Sequence, residues 1–332
     1  MSLIDSFGRP ITYVRLSVTD RCDLRCVYCM AEDMTFLPRA EVLSIEELST
    51  LGATFVALGV KKLRITGGEP LVRRGIIELL QRLGQLPGLE ELCLTTNGTH
   101  LPQYAQAIKD AGVARLNISL DSLKPERFRE LTRFGDLNQV LAGIKAAQAA
   151  SFARIKLNCV ALKNYNADEV VDLVRFALNE GLDISFIEEM PLGRIDGHGR
   201  AAEFMSSAEL RELIAGELSL QPEFAAADAN GGPARYWQVP SYGSRIGFIS
   251  PHSNNFCSSC NRVRVTAVGR LLLCLGQENS VDLRAALRTS ENPLVELRER
   301  IVEAMAHKPE KHEFDLDADE PQILRFMNMT GG

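Results

Sequence analysis

The sequence predicts an α/β protein: a partial (β/α)6 barrel with a smaller C-terminal α+β region closing the open side. Three observations carry this. Short β-branched runs alternate with amphipathic stretches through the first two-thirds of the chain, which is the pattern of a parallel sheet with helices outside it. The units number six, short of the eight in a closed barrel. After Met190 the alternation stops.

Taken in order, strands are expected at Thr12–Val18, Lys62–Thr66, Glu91–Thr95, Arg115–Leu120, Arg154–Val160 and Asp183–Glu188. Ser44-Ile45-Glu46-Glu47 reads as a capping box ahead of a helix to about Leu58, and Asn166 with Glu169 is expected to open another in the same way. Pro191–Gly199, with three glycines and a proline, reads as a linker. Ser207-Ala208-Glu209-Leu210 starts a further helix, and Ala225–Pro233 is an Ala/Gly loop. Short strands are expected at Tyr236–Val239, Ser244–Ile249, Arg262–Thr266 and Arg270–Cys274, then helices over Val281–Arg288 and Pro293–Met305. The division expected is residues 1–204 for the barrel and 205–332 for the smaller region, which packs across the barrel's gap.

The chain has 332 residues, 45% apolar and 24% charged, enough for a large core. Its net charge of −6 argues against a main partner that is nucleic acid or an anionic membrane, since those use broad basic faces. A few local arginines can still hold a small anionic ligand. No apolar run approaches the ~20 residues of a membrane span. The start, Met1-Ser2-Leu3-Ile4-Asp5, lacks a secretory pattern. A cytoplasmic location is therefore expected, where disulfides are rare, and the eight cysteines need another role.

Cys22, Cys26 and Cys29 follow the first strand with spacing Cys-x3-Cys-x2-Cys. Thiolates suit zinc or iron–sulfur clusters. Structural zinc wants four ligands, and a [4Fe–4S] cluster normally takes four cysteines. Three thiolates without a neighbouring histidine fit a [4Fe–4S] cluster with one iron open to a small molecule, the alternative being a zinc knuckle completed by a distant residue. Cys257, Cys260 and Cys274 form a second three-thiol set, with a strand pair between the last two. From ligand chemistry alone this set fits either an iron–sulfur cluster or a Cys3His zinc site completed by His252. Cys93 and Cys159 sit singly in apolar strands, as small buried thiols commonly do.

The barrel reading supplies an independent check, because sites of such folds gather at the C-terminal strand ends. Those ends carry the cysteine loop, Gly67-Gly68-Glu69, Thr95-Thr96-Asn97, Ser119-Leu120-Asp121, Asn158 and Glu188-Glu189-Met190. Six polar ends in succession read as the rim of one pocket. Arg15, Arg64 and Lys156 lie inside otherwise apolar strands, and alternation puts Arg262 and Arg264 on one strand face. Together these cations suggest a polyanion, because guanidinium forks match phosphate geometry. No P-loop and no G-x-G-x2-G is present, so side chains would hold a nucleotide.

The Cys-x3-Cys-x2-Cys motif with Tyr28 before the last cysteine, and Gly67-Gly68-Glu69-Pro70 after the second strand, resemble the radical S-adenosylmethionine (SAM) enzymes. Over nearly the whole chain the sequence resembles one branch, the GTP 3′,8-cyclase family of molybdenum cofactor biosynthesis. That likeness rests on Ile65-Thr66-Gly67-Gly68-Glu69-Pro70, Leu94-Thr95-Thr96-Asn97-Gly98, Asn117-Ile118-Ser119-Leu120-Asp121-Ser122, Cys257-x2-Cys260-Asn261-Arg262-Val263-Arg264 with Cys274, and the terminal Gly331-Gly332. By composition alone that tail would be a frayed terminus.

The resemblance implies two [4Fe–4S] clusters, one on each cysteine set, with SAM on the open iron of the first and the guanine of GTP before the second. It implies SAM contacts at Tyr28, Gly68, Ser119 and Met190. It implies GTP contacts at Arg15, Arg64, Thr95, Lys156, Arg262, Val263 and Arg264. It makes Arg262, Arg264, Gly331 and Gly332 the catalytic candidates, the tail helping to order or close the site. Ser185 stands where many relatives carry arginine. The implied reaction begins with reductive cleavage of SAM. The deoxyadenosyl radical takes the 3′ hydrogen of GTP, and the C3′ radical then adds to C8, giving the cyclised nucleoside triphosphate after one further reduction. The implied partners are GTP, a low-potential electron donor and the downstream cyclic pyranopterin monophosphate synthase, with no nucleic acid and no membrane; a homodimer is among the expectations.

Overall fold

The computed structural model describes residues 2–195, 198–223, 231–315 and 321–331. Gly332, most of the expected Ala225–Pro233 loop, and Asp196 and Gly197 of the expected linker lie outside the described residues. The first half runs β1 Tyr13–Ser17, α1 Ile45–Ala57, β2 Lys62–Thr66, α2 Ile76–Gly84, β3 Glu91–Thr96, α3 Leu101–Asp110, β4 Arg115–Ser119, α4 Pro125–Thr132, α5 Leu137–Ala149, β5 Arg154–Ala161, α6 Val170–Asn179 and β6 Asp183–Glu188. The remainder runs α7 Arg200–Glu203, α8 Ser207–Ala215, β7 Gln221–Pro222, β8 Arg235–Gln238, β9 Arg245–Ile249, β10 Arg262–Val265, β11 Arg270–Leu272, β12 Ser280–Asp282, α9 Leu283–Thr289, α10 Pro293–Met305 and α11 Met327–Thr330.

Among the described residues the strands form one sheet in the order β12-β11-β10-β1-β2-β3-β4-β5-β6-β9-β8-β7. The six predicted strands are its centre and pair in parallel in sequence order. The C-terminal region adds β10 in parallel to β1 and β9 in parallel to β6, one on each edge. Antiparallel strands β11 and β12, and β8 and β7, follow outward. The outermost strands β12 and β7 do not pair with each other, so the barrel stays open. The two- and three-residue strands β7 and β12 were too short to leave a pattern in the sequence.

Alternation decides which side chains face the bore. In β5, Ile155, Leu157, Cys159 and Ala161 are buried on one face, while Arg154, Lys156, Asn158 and Val160 take the other. The first face meets the helices; α1, for example, fully buries Leu48, Leu51 and Phe55, one stripe at helical spacing. The capping box at Ser44 forms, with Ser44 Oγ accepting from Glu47 N–H at 3.1 Å and Glu47 Oε2 accepting from Ser44 N–H at 2.7 Å.

The second expected capping box does not form. Asn166 Nδ2 donates to the carbonyls of Asp121 at 2.9 Å and Val160 at 3.0 Å. The Glu169 carboxylate accepts from Ser122 Oγ at 2.8 Å and Leu123 N–H at 2.8 Å. Both residues are buried, and the orphan groups of neighbouring strand ends claim their polar atoms more strongly than the helix terminus does. A 3-10 turn over Ala167–Glu169 opens α6 instead.

The C-terminal tail is not frayed over its described residues. Leu192 and Ile323 form a parallel bridge, Met327 N–H donates to Cys29 O at 3.3 Å, and Asn328 Nδ2 donates to Asp20 O at 2.8 Å. No helix among the described residues is long and apolar enough to cross a membrane.

Removing the α1 cap with Ser44→Ala is expected to cost about 1 kcal/mol of stability, read as a lower urea midpoint with an unchanged slope; an unaltered midpoint would show that the cap contributes nothing.

Candidate active site

A cavity of about 300 Å³ occupies the bore and is lined by all six clustered cysteines. Such a volume lies within the range of small-molecule sites. The strand register puts the two thiol sets at opposite ends. Cys22, Cys26 and Cys29 follow Ser17, at the C-terminal end of β1. Cys257 and Cys260 precede Arg262, which pairs with Tyr13 at the N-terminal end of β1. The hairpin of β10 and β11 pairs Arg264 with Leu272, so Cys274 returns to the same end as Cys260. The five residues of β1 separate the two ends by roughly 16 Å at about 3.3 Å each.

The first cysteine loop is held by backbone contact. Gly68 N–H donates to Thr19 O and Glu69 N–H to Arg21 O, both at 2.8 Å. A Cβ at Gly67 would stand 2.8 Å from Thr19 O, and one at Gly68 would stand 2.4 Å from Arg21 O. The glycines are thus needed because the chain's own cysteine loop presses on them, as well as for any ligand beside them. Glu69 does not face the cavity. Its carboxylate accepts from Leu71 N–H at 2.9 Å, Thr96 Oγ1 at 2.8 Å and Asn97 N–H at 2.6 Å, tying the ends of β2 and β3 together. Burial pushes Glu69 up to about 8 against those bonds. Asn97 Nδ2 and Thr99 Oγ1 in turn grip Asp23 at 2.6 and 2.8 Å, beside Cys22.

Tyr28 is aimed across the loop by Asp121, its hydroxyl donating to Oδ2 at 2.7 Å, while Val160 N–H donates to Oδ1 at 2.9 Å. Burial raises Asp121 to about 6. The residues expected to meet SAM, Tyr28, Gly68, Ser119 and Met190, all line the cavity.

The middle of the bore is cationic. The register sets Arg264, Arg15 and Arg64 side by side on β10, β1 and β2. Burial, then Arg15 and Arg262, push Arg264 well below its ordinary value. Tyr13, which sequence reading passed over, accepts from Arg64 Nε at 2.6 Å. Burial raises the phenol, but Arg64 and Arg15 more than offset this and bring it down to about 8. Arg64 also reaches Thr95 Oγ1 at 3.4 Å. Arg15, Arg64, Thr95, Arg262, Val263 and Arg264 line the cavity; Lys156 does not, but pairs in register with Asn117, which does. Burial and then Arg64 lower Lys156 to about 7. Ser185 is fully buried and its Oγ has no hydrogen-bond partner.

At the second set, burial raises Cys260, yet Arg262 and Lys308 more than offset it and bring the thiol down to about 7. His252 does not join this set. Its Nε2 bonds Glu189 O at 2.9 Å and its backbone N–H donates to Glu188 Oε2 at 3.0 Å, so the ring is held toward the end of β6. Among the described residues no three His, Cys, Asp or Glu side chains are grouped so as to hold a single metal ion. Two open sets of three thiols fit iron–sulfur clusters better than closed zinc sites. Burial raises all three thiols of the first set, Cys29 to about 12, and a bound metal centre would hold them as thiolates.

The last described residue of the tail packs against Ser17, Thr66 and Arg264, in phase with the arginine row. Gly331 is buried at φ +80°, where a Cβ would stand 2.2 Å from Thr66 Oγ1, and its carbonyl accepts from Arg264 Nη1 at 2.5 Å. Tyr13 and Asn117 could have been found from strand parity with Arg15 and Ser119, their neighbours two residues on in β1 and β4. Lys308 left no signal in the sequence.

Residues 16–177 match the Radical SAM superfamily and residues 182–314 the Molybdenum Cofactor Synthesis C family. The chain is 60% identical to the GTP 3′,8-cyclase of Saccharophagus degradans over 331 residues, covering 100% of this chain and 99% of that one. It is 60% identical to the GTP 3′,8-cyclase of Pseudomonas entomophila over 332 residues, covering 100% and 98%. In fold it is similar to Streptococcus suis SuiB bound to S-adenosylmethionine, with a TM-score of 0.63 and 13% identity over 97% of this chain and 78% of that one.

Gly68→Ala is expected to leave far-ultraviolet circular dichroism intact and to lose about four irons per chain after anaerobic reconstitution, one [4Fe–4S] cluster's worth; full iron loading would show that the backbone approach does not hold the first loop.

Proposed function

The chain belongs to the GTP 3′,8-cyclase family, and on that premise we propose that it converts GTP to (8S)-3′,8-cyclo-7,8-dihydroguanosine 5′-triphosphate, the first step of molybdenum cofactor biosynthesis. The observation that carries this reading is a cationic bore with three thiols at each end of one cavity. Cys22, Cys26 and Cys29 would hold a [4Fe–4S] cluster that, when bound, supplies the electron for reductive cleavage of SAM. Cys257, Cys260 and Cys274 would hold a second cluster. Tyr28, Gly68, Ser119 and Met190 are assigned to SAM, and Arg15, Arg64, Thr95, Lys156, Arg262, Val263 and Arg264 to GTP.

The chain's own part is placement and exclusion. Arg15, Arg64 and Arg264 repel one another in the bore, and a triphosphate would remove that repulsion, so the nucleotide is drawn to one depth. Val160, Ile187, Ile249 and Pro251 form apolar wall that keeps water away from a reactive carbon. Arg264 donates to the Gly331 carbonyl, and this contact supports the assignment of the tail to closing the nucleotide site. A low-potential electron donor must reach the first cluster. The product would pass to cyclic pyranopterin monophosphate synthase, and the cytoplasm is the setting that oxygen-sensitive clusters require.

Anaerobic reconstitution tests the reading. We expect about eight irons per chain, 5′-deoxyadenosine formed from SAM, and matching loss of GTP. SAM cleavage indifferent to GTP would overturn the substrate assignment.

The electrostatics add a pH dependence. A bound triphosphate favours the Lys156 ammonium and cancels the pull of Arg64 and Arg15 on Tyr13. Both groups therefore take up protons on binding, at pH values above about 7 for Lys156 and about 8 for Tyr13. GTP affinity should fall as pH rises through this window. Calorimetry in two buffers of different ionisation enthalpy should register the uptake, and proton release or none would contradict the assignment.

A further inference from the structure

Lys308 lies just past α10 and is only 3% exposed. Its ammonium donates to Leu273 O at 2.6 Å and to Cys260 Sγ at 3.6 Å. It is absent from the cavity lining and so approaches the thiol from behind the wall. The segment around it is clamped. Lys308 N–H donates to Met305 O at 3.2 Å, and Arg9 donates to the carbonyls of Pro309 at 2.6 Å and Glu310 at 2.7 Å. Arg9 also donates to Cys257 O at 2.7 Å and is itself held by Asp5 at 2.6 Å. One buried cation thus touches the backbone before Cys274 and the sulfur of Cys260, while another touches the backbone of Cys257.

A carbonyl and a neutral thiol offset little of the cost of burying an ammonium. A thiolate bound to iron would offset it as an anion. Positive charge and N–H···S bonds beside a cluster stabilise its reduced form. We propose that Lys308 is a positioning residue of the second cluster, holding its ammonium on the Cys260 thiolate and raising the cluster's reduction potential. This rests on the reading that Cys257, Cys260 and Cys274 carry a [4Fe–4S] cluster.

The test is a redox titration of both clusters in the reconstituted full chain, followed by electron paramagnetic resonance, for wild type, Lys308→Gln and Lys308→Arg, with iron counted in each. Glutamine keeps a donor and loses the charge; arginine keeps both. We expect Lys308→Gln to make the second cluster tenfold harder to reduce, about 59 mV more negative for a one-electron couple. The first cluster, as internal reference, should not move, and Lys308→Arg should stay near wild type. An unshifted second potential in Lys308→Gln overturns the inference. So does loss of the second cluster's iron in both variants, which would make the lysine part of the frame alone. If wild type takes up only about four irons, the two-cluster reading fails first and the inference with it.

Discussion

The approach of Gly67 and Gly68 to the backbone of Thr19 to Arg21 sets where the first three thiols stand. Two hydrogen bonds cross this contact at a separation that leaves no room for a side chain. Everything on the rim follows from it. Glu69 turns inward to bind the end of β3, which frees Asn97 and Thr99 to hold Asp23, and Asp121 draws Tyr28 across the same loop. The loop is therefore fixed by strand ends from β2, β3 and β4, although its cysteines are neighbours in sequence. Buried carboxylates such as Glu69 and Asp121 stand above their ordinary range here, and the bonds they accept hold the structure together despite that cost.

Below the rim the same alternation that packs the helices puts arginines together. Arg264, Arg15 and Arg64 share one register row because β10 joins β1 in parallel. A row of like charges in a bore opposes folding unless something answers it. Tyr13 answers in part, its phenol held low by Arg64 and Arg15. A bound anion would offset the repulsion further and would be drawn to the depth of that row. This is how a chain with net charge −6 holds a polyanion: the positive charge is local and enclosed.

The C-terminal region builds the site from the sheet's edges. Its strands extend the sheet on both sides, bringing Cys257, Cys260 and Cys274 to the N-terminal end of the bore opposite the first set. Its last helices deliver Lys308 behind Cys260 and the tail beneath Arg264. The N-terminal segment closes the arrangement through Arg9, which spans 248 residues to Cys257. The second thiol set is consequently held by segments from both chain ends.

Sequence alone determined the features that depend on near neighbours. The six central strands, the Ser44 cap, both cysteine sets and the parity of Arg15, Arg64, Arg262 and Arg264 are written in spacings of two to fourteen residues, which backbone geometry converts directly into faces and loops. Tertiary structure decided whatever needed partners distant in the chain. Asn166 and Glu169 have a cap's spacing, yet buried strand ends took their hydrogen bonds. The glycine pair is legible as a close approach, but only packing shows that the cysteine loop is what approaches. His252 stands five residues from Cys257 and still serves Glu189. Lys308, 48 residues from Cys260, carries no local signature at all, because its burial and its sulfur contact exist only once α10 has packed against α9 and α1.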